Sequence, residues 1–350
     1  MLTKSRNYYK ELSIIVDCTN KGNCYLQKYT SINGKTLGKI NITSLSNNKI
    51  IAVIGGGMSA EHEVSYMSSN GIVDSLINLG HRVIFIDMGA DISSVLQKIK
   101  PQIVYNGLHG TYGEDGCLQG LLNILKIKYT GPGVLSSSVA MNKKKSYEIL
   151  RSESSITIPE SIIIHKNHNL QTDPMPRPYV IKPLSQGSSV GIEVVFAEDD
   201  FTFDKYDFPY GDEVIIDQYI KGQEIQVAVL NGKALGVLEI KMLGEKRFYD
   251  YEAKYTEGFA KHIYPASIPK KAYNDSLKAA EKACKIFECM NGIIRVEFLY
   301  QEQEKKLYML ELNTHPGMTP LSICPEISSH QGISYTQLVE KVLSQAKYEE

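Results

Sequence analysis

Two apolar runs near the C-terminal end of the chain, GIIRVEFLY (292–300) and KLYMLELN (306–313), each carry polar groups two residues apart. In an extended strand, residues i and i+2 point to the same face. The polar stretch 301–306 between the runs predicts the loop of a β-hairpin. Pairing the strands brings Glu297, Glu311 and Asn313 onto one surface, with Arg295 beside them. Two carboxylates and an amide oxygen are hard ligands, suited to a Mg²⁺ ion that still needs oxygens from a phosphate. The same spacing also fits two half-buried strands whose charged residues face water. Glu311 between Leu310 and Leu312, and the rigid polar turn 313–318 that follows, count against that plainer reading.

At 350 residues the chain is long enough for two or three domains, each with its own core. A hydrophobic content of 43% with 22% charged residues fits a soluble globular protein. A formal net charge of −1 gives no global field favouring nucleic acid or an anionic membrane. The six cysteines form no CxxC, which fits reduced thiols in a cytoplasmic protein. No run approaches a membrane span or a signal-peptide core.

Residues 1–47 are polar and patchy, an extension of unknown role with possible short strands at 13–17 and 24–29. The pattern sharpens at residues 49–54, a buried strand that runs into Gly55-Gly56-Gly57. A helix to about Leu79, a strand at 82–87, a helix at 93–100 and a strand at 102–105 follow. This alternation predicts a parallel α/β unit, and function in such sheets collects at the carboxyl ends of strands, here 55–61 and 109–116. Beyond residue 132 the pattern changes to α+β. One helix over 136–152 carries Lys143-Lys144-Lys145, strands are predicted at 179–183, 192–196, 213–219, 224–229 and 234–241, and a helix at 275–289.

Several strings carry chemistry. The loop Gly187-Ser188-Ser189-Val190-Gly191 can turn backbone N–H groups toward a phosphate, although a plain hairpin turn has the same composition. Lys182 closes an apolar strand a few residues earlier, within reach of the same phosphates. The stretch 218–224 offers an aromatic and an aliphatic for a base and Glu224 for ribose hydroxyls, or serves as a hinge. His109 to Gly116 packs ionisable groups among glycines. The aromatic, charged stretch 248–255 keeps neither period and suits a mobile lid with Lys254 as its active group, or an exposed edge.

Taken in order, GGGMSAEHEVS, HGTYGEDGCLQG, VIKPLSQGSSVG, GQEIQVAVL, FYDYEAKY, IIRVEF and LELNTHPGMTP resemble the D-alanine–D-alanine ligases of the ATP-grasp superfamily, over about residues 50–345. The resemblance implies an ATP-grasp fold with an N-terminal Rossmann-like parallel α/β domain, divided as 48–131, 132–221 and 222–350. It implies ATP between two sheets: Lys143, Lys182, Gly187 and Ser189 on the phosphates, Gln218, Tyr219 and Ile220 at the adenine, Glu224 at the ribose, and Lys254 on the γ-phosphate. Glu297, Glu311 and Asn313 would hold Mg²⁺, two ions by family precedent, with Mn²⁺ able to substitute.

The implied reaction joins two D-alanine molecules through an acyl phosphate. Glu61 matches the anchor of the first ammonium, and Ser188 and Tyr255 match its lid-closing partners. Arg295 and the Gly317 N–H match the oxyanion stabilisers. Ser322 and Ile323 match the second carboxylate's site, with His109 near its amine. The Lys254-Tyr255 pair favours dipeptide over depsipeptide. A homodimer is implied as well. Asp217 stands where a glutamate is common, Leu184 where a small polar residue is usual and His315 where serine or glutamine is frequent, none at a residue given a catalytic role. The extension 1–47 has no counterpart in the family's minimal form. Another ATP-grasp ligase and an inactive nucleotide-binding regulator are the competing readings; the retained Arg295, Glu297, Glu311, Asn313 and Lys254 disfavour the regulator.

Overall fold

The computed structural model describes residues 13–17, 50–168, 170–185, 187, 190–243 and 259–349. Its first sheet is built from β2 (Ile50–Gly55), β3 (Arg82–Asp87), β4 (Ile103–Asn106) and β5 (Lys128–Tyr129), all parallel. Every residue of β2 is buried, so IIAVIG has no solvent face; a strand covered on both sides needs no polar alternation. Ile51 and Val53 face one core with α1 (His62–Asn78), while Ile50, Ala52 and Ile54 face another with α2 (Ile92–Ile99) and α3 (Cys117–Ile124). Burial stabilises each such side chain by about 1.5–3 kcal/mol.

The strand order β3-β2-β4-β5 makes the chain reverse direction between β2 and β4. The crevice at such a switch point, beyond the carboxyl ends of the strands, is where open α/β sheets place ligands. The loops starting at Gly56 and Gly107 leave from there.

The extension supplies an element of its own. β1 (Ile14–Asp17) adds antiparallel to the outer edge of β3, and the Ser13 hydroxyl accepts the Gly89 N–H at 2.9 Å. The expected strand at 24–29 lies outside the described residues. At the opposite edge, Tyr129 exchanges two backbone hydrogen bonds with Lys347, at 3.0 and 3.1 Å.

The expected helix over 136–152 is two helices, α4 (Val134–Met141) and α5 (Lys143–Arg151). Asn142 breaks it: its backbone is extended, and its side-chain oxygen accepts the Lys145 N–H as an N-cap. Propensity and period continue across the break, so only the capping asparagine marks it. The strands β6 (Ser161–His165), β7 (Tyr179–Pro183), β8 (Glu193–Val195) and β9 (Glu213–Gln218) form an antiparallel sheet in the order β6-β9-β7-β8.

The third sheet, order β12-β11-β10-β13-β14, holds β10 (Gln223–Leu230), β11 (Lys233–Met242), β12 (Ala260–Ile263), β13 (Ile293–Gln301) and β14 (Lys306–Asn313). One face packs on α6 (Lys270–Ile286), which starts five residues before the expected 275 and ends three before 289, with Pro269 just before its first turn. The other packs with α7 (Ile323–His330) and α8 (Tyr335–Leu343) against α1 and β2. The first and third sheets therefore share one core. Among the described residues no helix is long and apolar enough to cross a membrane.

Candidate active site

The β13–β14 hairpin pairs as the spacing predicts: Arg295 lies opposite Asn313 and Glu297 opposite Glu311. One detail is absent from the simple alternation. Met309 is buried in the α6-side core, yet Glu311, two residues on, faces the other way. A bulge accounts for it: Glu297 pairs with Glu311 but Phe298 with Met309, and the extra residue Leu310 switches the face. Arg295 stands 3.7 Å from both Glu297 and Glu311.

A cavity of about 500 Å³ opens between the second and third sheets. Val180, Lys182 and Asp217 line it from one sheet; Glu224, Glu239, Glu297 and Glu311 line it from the other. Gln218, Tyr219 and Ile220 form its rim, with Tyr219 set edge-on to Phe196 at 5.5 Å between ring centres. Ile220 is buried, Gln218 exposed. Glu224 accepts a hydrogen bond from Gln226 at 3.0 Å.

Lys182 and Asp217 form a buried ion pair of 2.7 Å, and the Tyr147 hydroxyl donates to the same carboxylate oxygen at 3.0 Å. Burial alone would lower the Lys182 ammonium, but Asp217 carries it above its ordinary value. The role of Asp217 here is therefore to hold a lysine, which sequence reading missed. The signal needed the strand pairing: Asp217 sits opposite Val180, which makes it the diagonal neighbour of Lys182. Lys143 lies half-buried on the same wall, its ammonium pushed down by burial and by the neighbouring Lys182 against the pull of Glu311. Its backbone N–H donates to Leu184. Lys144 pairs with Glu213 at 3.2 Å, so it belongs to the helix–sheet contact rather than to solvent.

Lys143 and Glu311 also border a smaller cavity, of about 30 Å³, with Gly187, Glu114 and Asn313. Gly187 in turn approaches Glu61: a Cβ built on it would stand 3.4 Å from a Glu61 carboxylate oxygen. Glu61 is buried at the entry of α1, where Gly110 (φ +72) closes over it so tightly that a Cβ would fall 2.5 Å away. Its N–H donates to the Ser59 hydroxyl, which donates to the His109 carbonyl. The groups expected at the phosphates and at the first substrate thus meet across Gly187.

His109 is buried among partners. Its Nδ1 is 2.9 Å from the His315 carbonyl and 3.4 Å from Glu114, and its Nε2 is 2.8 Å from the Ser68 hydroxyl. Burial would lower this imidazole, but the Glu114 and Glu61 charges outweigh it and raise it. Neither Ser68 nor Glu114 stood out as a partner in the sequence. The Ser68 oxygen also accepts the Met318 N–H at 3.1 Å, which brings His109 beside Gly317. Ser322 caps the region: its oxygen accepts the Thr319 N–H at 3.1 Å and lies 2.9 Å from where a Gly317 Cβ would be. Ile323 opens α7 directly behind it. Ser188, Ser189, Lys254 and Tyr255 lie outside the described residues.

Among the described residues no three His, Cys, Asp or Glu side chains converge as a metal cluster. Two carboxylates and an amide oxygen on one face of the hairpin still fit a hard divalent cation that draws its remaining oxygens from a phosphate. Comparison with known proteins gives this geometry its family. A family model described as D-ala D-ala ligase C-terminus matches residues 136–344, and one described as D-ala D-ala ligase N-terminus matches 89–132.

The chain belongs to the D-alanine–D-alanine ligase family.

It is 59% identical over 310 residues to the D-alanine–D-alanine ligase of Rickettsia massiliae, an alignment covering 89% of this chain and 96% of that one. The Rickettsia peacockii ligase is 60% identical over 312 residues, with the same coverage. Among solved structures, the D-alanine–D-alanine ligase of Bacillus anthracis complexed with ATP superposes with a TM-score of 0.73 at 29% identity, covering 85% of this chain and 97% of that one. The Coxiella burnetii ligase gives 0.70 at 26%, covering 86% and 94%. ATP-grasp architecture, expected from the motifs, is the fold of this ligase family.

Proposed function

We propose that this ligase joins two D-alanine molecules through an acyl phosphate, using the residues gathered around the two cavities. The overall activity is ATP-dependent, ADP-forming synthesis of D-alanyl-D-alanine for peptidoglycan precursors. The observation that carries the site reading is the Glu297–Glu311 pair facing the cavity between two sheets, with Lys143 and Lys182 on its walls.

In this reading the carboxylate of the first D-alanine attacks the γ-phosphorus, the bond to the β-phosphate oxygen breaks, and ADP leaves. Lys143 and Lys182 hold the phosphates, and Glu61 holds the ammonium of the attacking amino acid. Glu297, Glu311 and Asn313 would hold Mg²⁺, or Mn²⁺ in its place, which spreads the charge building on the phosphate oxygens. The second D-alanine is seated by Ser322 and Ile323, its amine toward His109. That amine attacks the acyl carbonyl, Arg295 and the Gly317 N–H take the oxyanion, and phosphate departs with formation of the peptide bond. Ser189 joins the phosphate contacts, Lys254 reaches the γ-phosphate from the lid, and Ser188 and Tyr255 tie that lid shut so that water is excluded. A three-part division at 48–131, 132–221 and 222–350, a cytoplasmic location and a homodimer belong to the same reading.

Purified protein with ATP, Mg²⁺ and D-alanine is expected to release ADP and phosphate and form the dipeptide; no D-alanine-dependent ADP release at millimolar substrate would overturn the reading. Glu311→Gln keeps the shape and removes the charge. It is expected to lower turnover by at least about 10²-fold with an unchanged melting transition, and full activity would refute the metal assignment.

A further inference from the structure

The loop from Asn313 to Met318 carries a proposed metal oxygen at one end and a proposed oxyanion donor near the other. It grows out of the third sheet, whereas Glu61 and His109 stand on the first. Their relative position has to be fixed across the join between those sheets.

His315 crosses that join. Its buried ring lies between α3 and the end of β4, with Nε2 3.2 Å from the Gln119 amide nitrogen and 3.5 Å from that of Asn106. Both nitrogens are fixed as donors, because each also donates to the Gly113 carbonyl, at 2.8 and 2.9 Å. Nε2 therefore accepts, and the proton of the neutral ring sits on Nδ1. Gly131 (φ +91) gives the ring its seat: a Cβ there would fall 2.5 Å from Cε1. The backbone of His315 is engaged as well. Its carbonyl accepts from His109, and its N–H donates to Asn313 Oδ1 at 2.8 Å, which leaves that oxygen a second lone pair for a cation. With Met318 tied to Ser68, the loop is fastened to the first sheet on both sides of Gly317.

We infer that His315 is a positioning residue: its ring, held by Gln119 and Asn106, sets where Asn313 and the Gly317 N–H stand relative to His109 and Glu61. The inference rests on the site reading proposed above. The ring itself touches no reacting atom, and its effect runs through the loop.

The test compares His315→Leu and His315→Gln in steady-state kinetics, alongside ADP affinity measured by calorimetry without metal. Glutamine keeps an acceptor oxygen; leucine has bulk and accepts nothing. His315→Leu is expected to lower kcat by about tenfold or more and to raise KM for the second D-alanine, with ADP affinity changed by less than about twofold, while His315→Gln restores most of the rate. A leucine variant as active as the parent, or a glutamine variant as impaired as leucine, overturns the inference. Should the leucine variant fail to melt cooperatively, His315→Asn decides against His315→Gln, since its amide is one methylene short of Gln119; equal rates overturn the inference. Asn313→Ala separates the two levels. Activity retained there overturns the site reading, whereas an inactive Asn313→Ala beside a fully active His315→Leu overturns only the role of His315.

Discussion

Single residues in this ligase are held by charge as much as by packing. Lys182 is buried against the Asp217 carboxylate, so Asp217→Asn removes its direct counter-ion and leaves only the more distant Glu311 and Glu297 charges. The expected cost is about 3 kcal/mol, read as a lower urea midpoint, with a higher KM for ATP; an unchanged midpoint would show that the pair is not structural. His62 follows the same rule at the entry to α1. Its hydrogen bond to Asp87, whose other oxygen accepts the Gly57 N–H, raises the imidazolium against the opposing effect of burial. The folded state then binds this proton more tightly than the unfolded chain. Its stabilisation is complete below the ordinary value of 6.5 and is lost as pH rises through the folded value. The stability gap between the parent and His62→Gln should therefore narrow on going from about pH 6 to about pH 9, measured by urea unfolding at both ends.

At the level of elements, the cap of α5 links stability to the proposed nucleotide end of the site. Asn142 supplies the cap, and the next residue is Lys143. Asn142→Ala is expected to cost about 1 kcal/mol and to raise KM for ATP several-fold while leaving KM for D-alanine alone; equal shifts in both would point to general loosening. The same element shows where the sequence was and was not legible. The strands and their faces could be read because period two is written directly into IIRVEF and LELN, and a both-sides-buried strand into IIAVI. The break at Asn142 could not be weighed against a continuous helical period. The bulge at Leu310 was hidden because Met309, Glu311 and Asn313 share parity and imply one face, whereas Met309 lies on the other. Asp217, Ser68 and the ring of His315 act on partners distant in sequence, and only pairing and packing bring those partners near.

For the whole molecule, the shared core matters more than any boundary drawn along the chain. Ile51, Val53 and Ile72 pack in one cluster with Ala228, Leu230, Ile327 and Val342, so the first sheet and the third stabilise each other. The segment beyond α8 adds a second tie. Lys347 pairs with Tyr129, and the Glu349 carboxylate accepts the Val134 N–H at 3.1 Å, at the start of α4. Ending the chain after Ser344 is expected to remove about 2–3 kcal/mol and to abolish hydrogen-exchange protection of the Tyr129 amide; retained protection would show that the tie is not needed.

Both flanks of the first sheet are thus closed by segments far from it in sequence, β1 on one side and Lys347 on the other. On a ribosome the parallel strands emerge with Tyr129 unpaired, and its partner is translated only when residue 347 is reached. An open sheet edge is a template for pairing with another chain. The nascent ligase therefore carries an exposed edge until Lys347 emerges, and the first sheet is completed only after the second and third have been translated.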